Sequence, residues 1–265
     1  KIGHLTPMTG FLGALGEYAA QGIKMAAEEI NAAGGVMGRP LDVMSEDSVN
    51  PQTAATKAQR MIERDNVTVL MGEINSGSAL TISQVAARNK KLFMSIGARS
   101  DALRGKDCNR YTFHVDIPVT VMVNAAGEAL VREGLVKGKK IFSLTADYLF
   151  GHDLSRQAKR FFTANGGTVI GDELVATDVT DFSPYLLKIR QARPDLVATN
   201  LAGNQVTNFV KQYSEFGLPY PVAGFNLNTA DAWAASEVSL GGSWPTLWDA
   251  ELESPAALAI VTNFS

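Results

Sequence analysis

The sequence predicts an α/β protein built from two doubly wound parallel sheets joined by hinge strands. Three observations lead there. Short apolar runs alternate with amphipathic helical patterns along most of the 265 residues. The alternation restarts once, near residue 118. Most of the apolar runs end in glycine, serine or asparagine, the small residues that line crevices at the carboxyl ends of parallel strands.

Each element has a local reason. Residues 2–6, 41–45, 67–71, 92–96, 140–144, 168–170, 196–200 and 222–225 are short runs dominated by apolar or β-branched residues, and they read as buried parallel strands. Helical patterns fill the gaps at 18–32, 51–65, 79–89, 119–133, 153–165, 184–192 and 205–216. In the second of these, Ala54, Ala55, Ala58, Met61 and Ile62 form one apolar stripe, while Gln52, Lys57, Gln59 and Arg60 point outward. Such alternation requires right-handed strand–helix–strand units.

The first series ends near Ile96. An irregular stretch at 97–110 and an extended piece at 111–117 follow, and a second series opens at Val119. The expected organisation is lobe 1 at 1–117, lobe 2 at 118–243, and a return crossing with the start of a lobe 1 helix at 244–265. Extended residues 244–252 read as the crossing, and 255–264 read as a helix broken off by the last residue. Part of the natural polypeptide is therefore expected to lie beyond this chain, and a source protein heavier than the chain would show it.

Composition narrows the class. Apolar residues make up 46% and charged residues 19%, ample for a core, and the net charge is −3 with no basic run. Nucleic acid is not an expected partner. No apolar stretch approaches the ~20 residues that span a bilayer. The single cysteine, Cys108, forms no intramolecular disulfide, so it does not identify a redox compartment. The chain opens on a strand, which fits either a mature form with its signal removed or a protein without one.

Candidate chemistry gathers at the strand ends. Gly10-Phe11-Leu12-Gly13-Ala14-Leu15-Gly16 has G-x-x-G-x-x-G spacing, and Phe11, Leu12 and Leu15 put bulk where a pyrophosphate needs bare backbone. It reads as a flexible apolar lip over a small-molecule cleft. Asn75, Ser76 and Ser78 open a helix whose free N–H groups suit a carboxylate. Gly97, Ala98, Arg99 and Ser100 end the next strand. In the second half, Tyr148 and Phe150, then Gly203, then Asn226 hold equivalent positions. Catalysis finds no pattern: His4, His114 and His152 lack metal spacing, there is no nucleophile elbow, and no cofactor is expected.

The set Asn31-Ala-Ala-Gly-Gly-Val-Met-Gly-Arg-Pro-Leu, Glu46-Asp47, Asn50-Pro51, Asp147-Tyr148-Leu-Phe150-Gly151, Asp181-Phe182-Ser183-Pro184, Asn200-Leu-Ala-Gly-Asn, Phe216-Gly217-Leu218 and Trp244-Pro-Thr-Leu-Trp resembles the type I periplasmic binding proteins of the branched-chain amino acid type. The resemblance implies two Rossmann-like lobes closing by hinge motion on one ligand, a membrane permease of an ABC importer as partner, a monomer, and a periplasmic or lipid-anchored extracytoplasmic location. It places the ligand carboxylate at Ser76, Gly97 and Arg99 or Ser100, the first-lobe wall at Leu15, and the opposite wall at Phe150 and Gly203. The acid that holds a ligand ammonium falls at Asn226. Val49 and Asn75 stand at the positions of a disulfide pair found in some members, and both lack cysteine.

Asn226 carries no charge and Gly203 cannot stack, so the expected ligand is a small carboxylate without an α-ammonium, an aromatic or branched organic acid. Phe11, Leu12, Leu15, Tyr148, Phe150 and Phe225 are the expected apolar walls. Two rivals stand beside it: an ordinary amino acid whose ammonium is met by Asp116, Asp147 or Glu73, and a ligand-sensing domain of a receptor or regulator.

Overall fold

Strands β1 (Ile2–Thr6), β2 (Val43–Asp47), β3 (Val69–Gly72), β4 (Leu92–Ser95) and β5 (Thr112–His114) form one wholly parallel sheet, ordered β2-β1-β3-β4-β5. Its helices are α1 (Gly13–Ala32), α2 (Pro51–Glu63) and α3 (Ser76–Arg88). A second parallel sheet holds β6 (Lys140–Ala146), β7 (Thr168–Val175), β8 (Leu196–Asn200) and β9 (Val222–Gly224) in the order β7-β6-β8-β9. It carries α4 (Val119–Arg132), α5 (Leu149–Ala164), α6 (Ser183–Ala192) and α7 (Asn204–Phe216). This computed structural model describes residues 1–228 and 242–245, so the expected crossing beyond Pro245 and the helix at 255–264 lie outside the described residues.

The strand order reverses at β1 and at β6. In doubly wound sheets that reversal opens a crevice at the carboxyl ends, because neighbouring connections leave toward opposite faces. The two lobes bring these crevices together. Leu12, from the first lobe, is 2% exposed inside the core cluster of the second lobe, and Phe11, Leu15 and Ile74 pack against the same cluster. Burying one such side chain contributes about 1.5–3 kcal/mol, so closure rests on real apolar contact.

Local sequence explains the elements that frame the crevice. Asn50 caps α2 by accepting Thr53 N–H at 2.9 Å, and Pro51 stands at its first turn, where no N–H is needed. The Asn31 amide clasps Leu41, donating to its carbonyl at 3.0 Å and accepting its N–H at 2.6 Å. That clasp fixes the glycine-rich hinge between α1 and β2. Asp47 ties the loop after β1 to the end of β2, accepting Met8 N–H at 2.9 Å and the Thr9 hydroxyl at 2.6 Å.

Several readings of the sequence need correction. The segment at 10–16 is more regular than a loop: Gly10–Leu12 make one 3-10 turn and α1 begins at Gly13. A side chain at Gly16 would put its Cβ 1.6 Å from the Pro7 carbonyl oxygen, so helix and loop are pressed together there. The extended piece at 111–117 is strand only at 112–114, where it pairs beside β4 as the edge of the first sheet. The strand opening at Thr168 runs on to Val175, with a register shift opposite Ile141 and Phe142.

Candidate functional site

A cavity of about 210 Å³ lies between the lobes, walled by the segments that follow β1, β3, β4 and β5 on one side and β6, β8 and β9 on the other. It is smaller than the roughly 300–1,000 Å³ of pockets for drug-sized ligands, which points to a single small occupant. Leu12, Leu15, Ile74, Tyr148 and Phe150 give it apolar walls. Among the described lining residues, Arg99 and Asp116 are the charged side chains.

Arg99 is held from both lobes. Its Nε donates to Asp116 Oδ2 at 2.7 Å and its Nη1 donates to Asn226 Oδ1 at 2.9 Å. Of the five guanidinium N–H groups, the remaining three have no hydrogen-bond acceptor among the described residues. A planar cation with spare donors in an apolar crevice is suited to a carboxylate. Asp116 is fixed in turn: its Oδ1 accepts Ile117 N–H at 2.7 Å, and its carbonyl oxygen accepts Arg104 Nη2 at 2.5 Å.

Eight of the residues singled out from sequence line this cavity: Leu12, Leu15, Gly97, Arg99, Asp116, Tyr148, Phe150 and Asn226. Asn75, Ser76, Ala98, Ser100 and Gly203 do not. Asn75 caps α3, accepting Gly77 N–H at 2.9 Å and Ser78 N–H at 3.1 Å. Ser76 is fully buried and its Oγ accepts Ser100 N–H at 3.2 Å. The Ser100 hydroxyl donates to the buried carboxylate of Asp153 on α5, a contact between the lobes. The Ala98 carbonyl pairs with the His114 ring, whose other nitrogen accepts Arg104 Nε at 2.8 Å. Gly203 presses its backbone on the first lobe: a Cβ there would meet the Phe11 carbonyl oxygen at 2.1 Å.

The apolar walls also sort themselves. Phe225 lies in the second lobe's core, with its ring 6.0 Å from Phe162, and Phe11 meets Tyr148 edge-on at 5.2 Å. Sequence reasoning did not single out Ile74, Ile96, Ala202 or Asn228, which line the cavity too. Each sits within a few residues of a strand's carboxyl end, and that position was the available signal.

The two acids named beside Asp116 lie away from the wall. Asp147 pairs with His152 at 2.9 Å in exposed positions. Glu73 is buried, its Oε1 accepting the N–H groups of Ile74 and Asn75 at 2.9 and 2.8 Å. Burial pushes its carboxyl up to about 7. Among the described residues no three His, Cys, Asp or Glu side chains cluster as metal ligands.

Two doubly wound lobes thus meet over a small cavity at facing strand ends. The chain belongs to the periplasmic binding protein family, whose model matches residues 1–265. It is similar to Leu/Ile/Val-binding protein homolog 8 of Brucella abortus (strain 2308), with 27% identity over 224 residues, 82% of this chain and 55% of that protein. The chain thus spans about half the length of the curated relatives it matches. A periplasmic binding protein from Burkholderia mallei superposes with a TM-score of 0.90 at 31% identity, over 99% of this chain and 70% of that one. An ABC transporter solute-binding protein from R. palustris, solved in complex with benzoate, gives 0.91 at 24% identity, over 99% and 72%.

Proposed function

We propose that this chain is the solute-capturing part of an extracytoplasmic ABC importer subunit, closing its two lobes over a small carboxylate that lacks an α-ammonium. The observation that carries this reading is Arg99. It offers spare guanidinium donors to an otherwise largely apolar cavity, and its partner on the second lobe is the neutral Asn226 rather than an acid. An uncompensated ammonium buried at Asn226 would cost several kcal/mol, roughly the penalty for burying an unpaired charge. Aromatic or branched organic acids fit the walls made by Leu12, Leu15, Tyr148 and Phe150. The benzoate complex of the R. palustris relative is consistent with that class. Handing the captured acid to a membrane permease follows from the same reading, with no chemistry performed on it.

A second reading has one observation in its favour. Asp116 lines the same cavity, so an amino acid could place its carboxylate on Arg99 and its ammonium on Asp116. The Asp116 charge is already paired with Arg99 at 2.7 Å, which makes it the poorer ammonium site.

Isothermal titration with benzoate, a phenylpropenoate, leucine and phenylalanine separates the two. Binding of an ammonium-free acid without response to leucine or phenylalanine is expected. Tight leucine binding with no heat from either ammonium-free acid would overturn the proposal.

A further inference from the structure

In the carboxylate reading Asp116 anchors Arg99 Nε, yet it also occupies the cavity wall beside the one cationic side chain among the described lining residues. Its bond to Arg99 Nε at 2.7 Å makes that stretch of wall formally neutral. A ligand carboxylate docked on the spare guanidinium donors then adds one uncompensated negative charge to the crevice. A second carboxylate on the same ligand would meet Leu12, Leu15 and Phe150, and it would lie in the field of Asp116 with no second cation among the described lining residues to receive it.

We propose that Asp116 is a specificity-determining residue that limits the ligand to a single negative charge, admitting monocarboxylates and rejecting dicarboxylates. This rests on the carboxylate reading above. At an effective dielectric constant of about 20, like charges about 6 Å apart repel enough to weaken binding roughly 100-fold. Asp116 does so without losing Arg99, because the bond through Nε leaves the guanidinium's other edge toward Asn226 and the cavity.

The test is calorimetric titration of the protein and of Asp116→Asn with benzoate, terephthalate and 4-carbamoylbenzoate, the last nearly isosteric with terephthalate but singly charged. The protein should bind terephthalate roughly 100-fold more weakly than 4-carbamoylbenzoate, the size of a like-charge penalty. Asp116→Asn keeps an oxygen for Arg99 Nε and removes the charge, so the gap between terephthalate and 4-carbamoylbenzoate should largely close in it. Asp116→Ser serves for that comparison should the asparagine variant fail to fold. Terephthalate equal to its carbamoyl analogue in the unaltered protein, or the gap between the two undiminished in a folded variant, would overturn the charge limit while leaving the carboxylate reading standing. Failure of every acid where leucine binds would instead remove the carboxylate reading and this proposal with it.

Discussion

Arg99 Nη1 donates to Asn226 Oδ1 at 2.9 Å, and this bond joins the two sheets: Arg99 follows β4, whereas Asn226 follows β9. It requires the lobes to be shut. Because Arg99 also lines the cavity, ligand capture and closure would act on one side chain under the proposed reading. A ligand that binds it in the closed state shifts the open–closed equilibrium by its differential affinity for that state.

Arg99→Ala removes the cross-lobe bond and strands Asp116 in the wall. Affinity for the captured acid should fall by about 2–5 kcal/mol, the range for truncating one partner of a buried charge pair. Titration calorimetry reads this directly, and an unchanged affinity would take Arg99 out of the site.

Ser76→Ala separates two roles. A direct contact between the Ser76 hydroxyl and a ligand carboxylate would make the substitution cost affinity of about 1–3 kcal/mol. The structure instead gives the Ser76 oxygen to Ser100 N–H, deep in the lobe. The expected loss is therefore in stability, about 1–3 kcal/mol for a buried donor left without an acceptor. Urea unfolding should shift while ligand affinity changes little.

His4 and Glu73 predict opposing pH dependences. Burial holds His4 down at about 4, from an ordinary 6.5, so the folded chain keeps it neutral. As pH falls through that interval the unfolded chain gains a proton the folded chain does not, and stability drops. Glu73 is pushed up to about 7 from an ordinary 4.5, again by burial. There the folded chain retains a proton the unfolded chain has released, so stability drops as pH rises from 4.5 to 7. Each contribution is on the order of 3 kcal/mol at full extent. Between 4.5 and 6.5 the two slopes oppose and their sum should be nearly flat. Glu73→Gln keeps an acceptor for Ile74 and Asn75 and removes the titration. Its unfolding free energy should rise steadily from pH 4.5 to 6.5 and exceed the parent's at pH 8. Urea titrations at stepped pH check both.

Much of this architecture was legible because strands buried on two faces carry mostly apolar or β-branched runs, as at 196–200, where the expected and observed strand coincide. Helix starts were read late. The helices begin at Gly13, Ser76 and Leu149, several residues before their apolar periodicity, since first turns at a crevice carry glycine, serine or aromatic residues. In the site, strand-end position identified the loops, and Arg99 emerged from its chemistry. Which side chains turn inward was not readable. Ser76 and Ser100 satisfy each other through a contact 24 residues apart in sequence, and Asp116 earns its place only through Arg99. Such pairings depend on how the lobes meet, which local spacing does not encode.

Gly203, at φ +54° with no room for a Cβ before the Phe11 carbonyl, meets the first lobe with bare backbone, so under the proposed reading closure would end there. A single methyl group at that point becomes a doorstop. Gly203→Ala should leave each lobe's own core intact but wedge the jaws ajar, visible as a larger radius of gyration in small-angle X-ray scattering with saturating ligand. One missing carbon atom thus sets how far this trap can shut.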